Sequence, residues 1–170
     1  MTDTAPAVAL AAQPRIRPFD RSLPMGLLRA REAAMRHFRV RLAQHDLTEQ
    51  RWRVLRALGI AEDVPDAYQT GVGEIAKRTF LLAPSLSRIL AGLEDRGLVQ
   101  RSTDAADQRR SVLALTVVGR RLVTEVAPES EAIYAEIEKR FGAERLARLL
   151  ADLRDLEAAL SDLPIDWSRL

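Results

Sequence analysis

The sequence predicts a mainly α-helical chain with one small β-hairpin. Three observations carry this reading. Hydrophobic residues make up 47% of the 170 residues and aromatics only 5%, so the core must be aliphatic. Apolar residues recur at helical spacing through most of the chain. One stretch, 98–115, instead holds two short strand-like runs around a polar segment.

The elements follow in order. Residues 1–21 are rich in Ala, Pro and Thr and read as a flexible arm. Pro24 sits near a helix start, where its missing N–H costs little. From there Leu27, Leu28, Ala34, Met35, Phe38 and Leu42 form an apolar stripe, giving a helix over about 24–44. Thr48 fits an N-cap for the next helix, with Glu49 in its positive first turn. Trp52, Leu55 and Leu58 supply the apolar side, and Gly59 is expected to end it. Residues 59–70 read as a loop, followed by a helix over about 72–79.

Pro84 marks the start of a fourth helix, whose inward face is Leu86, Ile89, Leu90 and Leu93 and whose stop is Gly97. Leu98–Ser102 and Ser111–Leu115 are the strands of the hairpin. Thr116 caps a long helix to about Arg140, with a kink or break expected at Pro128. Finally Leu146, Leu149, Leu153, Leu156, Leu160 and Leu163 alternate at spacings of three and four, an a/d heptad seam. A chain this small with long helices at both ends exposes much apolar surface alone, so a homodimer exchanging first and last helices is expected.

Helix, tight turn, helix, hairpin is a winged helix-turn-helix. The fold class is therefore mainly α with a small β-wing, plus N- and C-terminal dimerisation helices. One domain over 22–164 is expected, with a DNA-binding lobe at about 47–116 between helices at about 24–44 and 117–163.

Charge agrees with a polyanion partner on one side. Arg15 to Arg56 holds 11 basic and four acidic residues, whereas Glu129 to Asp162 holds nine acidic and five basic. Solvated arginine-rich helix faces would give the same counts. Ser85, Ser87 and Arg88 lie on the outward side of the fourth helix, where small hydroxyls allow close approach and Arg can fork onto guanine O6 and N7. Simple helix capping also accounts for Ser85. At the hairpin tip, Arg109 and Arg110 suit phosphates or a narrow minor groove. Asp107 repels phosphate, and its expected role is to orient a neighbouring arginine.

Several classes are disfavoured. Without cysteine there are no disulfides and no thiolate metal sites. The only histidines, His37 and His45, make no site by themselves, and no glycine-rich phosphate loop is present, so neither enzyme nor cofactor is expected. No apolar run reaches the roughly 18 residues of a membrane span. The start of the chain does not read as a signal peptide, and a soluble, cytoplasmic protein is expected.

Leu93-Glu94-Asp95-Arg96-Gly97-Leu98-Val99, Asp107-Gln108-Arg109-Arg110 and Leu115-Thr116-Val117-Val118-Gly119 together resemble the MarR family of bacterial regulators. Leu47-Thr48, with Gln50 and Trp52, is broadly similar to that family's second helix. The resemblance spans about 24–162. Ser22-Leu23-Pro24-Met25 and the following Leu-Leu-Arg-Ala-Arg-Glu-Ala look, more narrowly, like regulators of homoprotocatechuate (4-hydroxyphenylacetate) catabolism. The stretch from Gly59 to Thr70 departs from the family in being longer.

The resemblance implies a homodimer on a pseudo-palindromic double-stranded operator, repressing an aromatic-acid catabolic operon until a small phenolic acid releases it. The family's DNA-contacting roles fall on Ser85, Ser87, Arg88, Asp107 and Arg109. Arg31 interrupts the apolar stripe of the first helix, a costly position unless paired. Either it meets an acidic residue of the fold or it awaits an anionic ligand. The resemblance favours the latter, with Arg31 forking onto a carboxylate beside His37 and Trp52. The competing readings are a stress or efflux regulator with another ligand, and a winged-helix interaction module that binds no DNA.

Overall fold

The computed structural model describes residues 16–62, 70–103 and 111–161. It contains a 3-10 turn (Phe19–Arg21), helices α1 (Leu23–Ala43), α2 (Glu49–Glu62), α3 (Val72–Thr79) and α4 (Ala83–Asp95), strands β1 (Val99–Thr103) and β2 (Ser111–Leu115), and helices α5 (Val117–Phe141) and α6 (Ala143–Ser161). The chain divides into two compact units, 1–36 and 37–170.

In the first unit Leu23, Leu27 and Leu28 are exposed. The stripe read along α1 is therefore buried within the chain only at Phe38 and Leu42, which belong to the second unit.

The second unit is organised around α2, which packs on α3, α4, β2 and α5. Its start is as the sequence requires, with Thr48 Oγ1 accepting from the Arg51 N–H at 3.2 Å. Val54, Leu55 and Leu58 are fully buried, each contributing about 1.5–3 kcal/mol relative to exposure. Gly59 does not end the helix, which runs on to Glu62. A Cβ at 59 would lie 3.5 Å from Val123 Cγ1 and 3.7 Å from Leu115 Cδ1. These are ordinary van der Waals contacts, so the site would accept a Cβ, and the packing of α2 on its neighbours outweighs glycine's poor helix propensity.

The α3 helix buries Ile75 and Thr79, and Arg53 of α2 donates to the Thr79 carbonyl at 2.9 Å, satisfying an orphan acceptor at its end. The α4 helix begins one residue before Pro84 and buries Leu86, Leu90 and Leu93. Its exit has the double hydrogen bond of a Schellman motif: Gly97 N–H to Glu94 O at 2.8 Å and Leu98 N–H to Leu93 O at 2.9 Å. Gly97 has φ +64°, the left-handed conformation this closure needs. Leu98 is consumed by the closure, so β1 starts one residue later than its apolar pattern indicates.

Val99 pairs with Leu115 and Thr103 with Ser111 in the antiparallel hairpin. Gly71 bridges to Val112, and Leu113 N–H donates to Thr70 O at 3.0 Å, fastening the start of α3 to the other edge of β2. The hairpin tip, with Asp107, Arg109 and Arg110, lies outside the described residues.

Helix α5 is capped by Thr116, whose Oγ1 accepts from the Gly119 N–H at 3.0 Å. Of the kink or break expected at Pro128, the break does not occur: one helix continues through Pro128 to Phe141. Pro128 itself is exposed. No residue of α6 is buried, and its seam residues Leu149 and Leu160 are exposed. No described helix is long and apolar enough to cross a membrane.

Candidate nucleic-acid interface and effector cavity

Apolar spacing turns one face of α4 into the core and leaves the opposite face to solvent. Ala83, Pro84, Ser87, Arg88 and Ala91 are exposed on it. Of the residues singled out from sequence, Ser87 and Arg88 stand fully on this outward face, while Ser85 is half-buried beside it. Ser85 is not the N-cap. Leu82 holds that position, with no side-chain capping bond. Ser87 Oγ donates to the Ala83 carbonyl at 2.9 Å, so its proton is engaged and its lone pairs face outward as acceptors.

This face is tied to the neighbouring elements. Arg96, just past α4, donates to the carbonyls of Asp46 at 2.8 Å and His45 at 3.3 Å, pinning the end of α4 to the turn between α1 and α2. Arg101 on β1 donates to Glu94 at 2.9 Å, tying the hairpin to α4. His45 in turn sits 3.7 Å from Glu125 and 3.5 Å from Glu129. A chain of polar contacts thus links the outward helix to α5.

Two cavities lie in the second unit. One, of about 480 Å³, lies between α1 and α5, with His37, Arg41, Ile133 and Arg140 in its lining. The other, of about 390 Å³, lies between α2 and α5 under β2, with Trp52, Arg56, Ile60, Arg120, Val123 and Ser130 in its lining. His37 and Trp52, grouped by sequence reasoning, thus line different cavities. His37 is exposed and Trp52 is buried. Arg31, in the first unit, is exposed rather than buried, and its Nη1 donates to Glu32 at 2.7 Å. It meets an acidic residue of its own helix.

Arg56, in the lining of the second cavity, is what the sequence reading missed. Arg56 Nη1 donates to Tyr134 Oη at 2.8 Å, and the guanidinium lies over the Tyr134 ring, 5.5 Å from its centroid. Tyr134 is itself packed against Phe38, the ring centroids 5.1 Å apart. Arg56 is one turn from Trp52, and that i, i+4 relation is the only signal the sequence offered. Two arginines, Arg56 and Arg120, against one carboxylate, Glu131, leave the lining net positive, and with its apolar wall it can take a flat anion of modest size. Among the described residues no His, Cys, Asp or Glu group is placed to hold a metal ion.

An outward-facing second helix, a short preceding helix and an antiparallel hairpin define a winged helix-turn-helix regulator. The MarR family model matches residues 45–110. The HTH-type transcriptional regulator FarR of Neisseria gonorrhoeae is 41% identical over 143 residues, covering 82% of this chain and 94% of FarR. The homoprotocatechuate degradative operon repressor of Escherichia coli is 38% identical over 128 residues, covering 75% of this chain and 82% of the repressor. The crystal structure of NadR in complex with 4-hydroxyphenylacetate superposes with TM-score 0.68 at 37% identity, covering 88% of this chain and 99% of NadR. The chain belongs to the MarR family of transcriptional regulators. Its relatives are regulators of transcription, not enzymes.

Proposed function

We propose that this protein is a homodimeric, cytoplasmic DNA-binding repressor of an aromatic-acid catabolic operon, released when a small aromatic carboxylic acid binds it. The observation that carries the DNA half is the outward face of α4, where Ser87 and Arg88 stand exposed beside half-buried Ser85. Arg88 supplies the guanine fork and Ser87 an acceptor for an exocyclic amino group. On the hairpin tip, Arg109 and Arg110 reach the flanking phosphates or minor groove, and Asp107 orients them. The leucine seam of α6, left unburied by its own chain, supports the dimer that a two-fold operator demands.

The cavity at Trp52 and Arg56 supports the release half. An arginine anchor and an aromatic wall fit a phenol-bearing carboxylate, and the 4-hydroxyphenylacetate complex of NadR is consistent with that chemistry. Binding between α2 and α5 biases the very helices that position α4, which is how a small acid changes affinity for DNA.

Two measurements on the full-length protein test this. A gel shift on the DNA upstream of its own gene is expected to show binding that falls steeply with salt. A thermal-shift screen of hydroxylated phenylacetates, benzoates and cinnamates is expected to find an acid that both raises the melting temperature and releases the DNA. Salt-independent or absent DNA binding overturns the first half, and an acid that stabilises without releasing overturns the second.

A further inference from the structure

The turn between α3 and α4 breaks two local rules at neighbouring positions. Phe80 adopts φ +51°, ψ +35°, a left-handed conformation that favours Gly or Asn and penalises a bulky side chain. Leu82 is the N-cap of α4 and makes no capping bond, where Ser, Thr, Asp or Asn is preferred. Neither residue serves the core: Phe80 is 80% exposed and Leu82 78%, while Leu81 between them is buried. Two large apolar side chains are thus held in water at positions where small polar residues would make the fold more stable. Local rules broken together without gain in packing mark a functional surface.

Its surroundings identify the occupant. The pair is continuous with the exposed side of α4 through Ala83, Pro84 and Arg88. From Ile75 to Leu93 the chain carries Lys77, Arg78 and Arg88 and no acidic residue, and Arg78 pairs with Glu74 just before this stretch at 2.8 Å. An apolar centre with a cationic rim is complementary to the major groove, where thymine methyl groups lie between rows of phosphates.

Resting on the DNA-binding reading above, we infer that Phe80 and Leu82 read thymine by packing on its 5-methyl group. They form a specificity element separate from the hydrogen-bonding residues of α4.

The test uses the full-length protein and a duplex it selects from a randomised pool. Each thymine is replaced in turn by uracil, which removes the methyl group and keeps every hydrogen-bonding edge. Wild-type protein is expected to lose about fourfold in affinity at one or more positions in each half-site. Phe80→Gly and Leu82→Ser are expected to bind the thymine and uracil duplexes equally, and to melt at or above the wild-type temperature. Three results overturn the proposal: a wild type indifferent to uracil at every position, variants that keep the wild-type ratio, or variants that melt several degrees lower because the side chains serve the fold. A surface that docks another protein gives the first of these. Failure to enrich any duplex removes the DNA-binding reading itself, and this proposal with it.

Discussion

Gly119 lies so close to Leu98 that a Cβ at position 119 would overlap the Leu98 carbonyl oxygen. The same carbonyl accepts the Thr116 N–H at 3.1 Å, and Thr116 Oγ1 donates to Gly97 O at 2.6 Å. The end of α4, the base of the hairpin and the start of α5 therefore meet at one point. Gly119→Ala must push helix from strand, because backbone rather than a flexible side chain is in the way. A loss of about 1–3 kcal/mol or more is expected, seen as a lower urea midpoint with unchanged slope. A wild-type midpoint would show that the junction yields freely.

Thr116→Val tests the same junction without adding bulk. It removes the cap of α5 and the bond to Gly97 together, for an expected loss of about 1–2 kcal/mol in urea unfolding.

Arg88→Ala and, on the hairpin tip, Arg109→Ala are expected to weaken operator binding while the dimer persists in sedimentation. For Arg88, a lost guanine fork costs about 1–3 kcal/mol, or about 5- to 150-fold in Kd by fluorescence anisotropy. For Arg109, a lost phosphate contact shallows the salt dependence. Unchanged affinity in both variants removes α4 and the hairpin as the DNA-reading surface.

Arg56→Met keeps the apolar wall of the second cavity and removes its held cation. The acid found by thermal shift is expected to lose its stabilising effect in this variant, with DNA binding intact. Arg31→Ala, whose side chain already pairs with Glu32, is expected to respond as wild type. The reverse pattern moves the carboxylate anchor to Arg31.

Leu149→Glu with Leu153→Glu places charge in the α6 seam. Because no residue of α6 is buried by its own chain, the monomer is expected to keep its fold while sedimentation shows loss of the dimer. A dimer that survives both changes places the two-fold contact elsewhere.

The sequence by itself determined the order of elements, because periodicity and punctuation are local. Leucine spacing sets the buried face of α4, Gly97 closes it, and Thr116 opens α5, each within a few residues of its cause. It determined by the same means which α4 side chains face outward, and Ser87 and Arg88 stand there. Tertiary structure alone decided the rest. Gly59 looked like a stop, but α2 packs on α3, α4, β2 and α5 and runs on to Glu62, and Pro128 looked like a break, but α5 continues through it to Phe141. Arg31 looked buried because a stripe shows that residues share a face, not whether anything covers that face. The cavity is lined by Trp52, Arg56, Leu115, Arg120 and Ser130, residues far apart in the chain that only the packing of α2, β2 and α5 brings together.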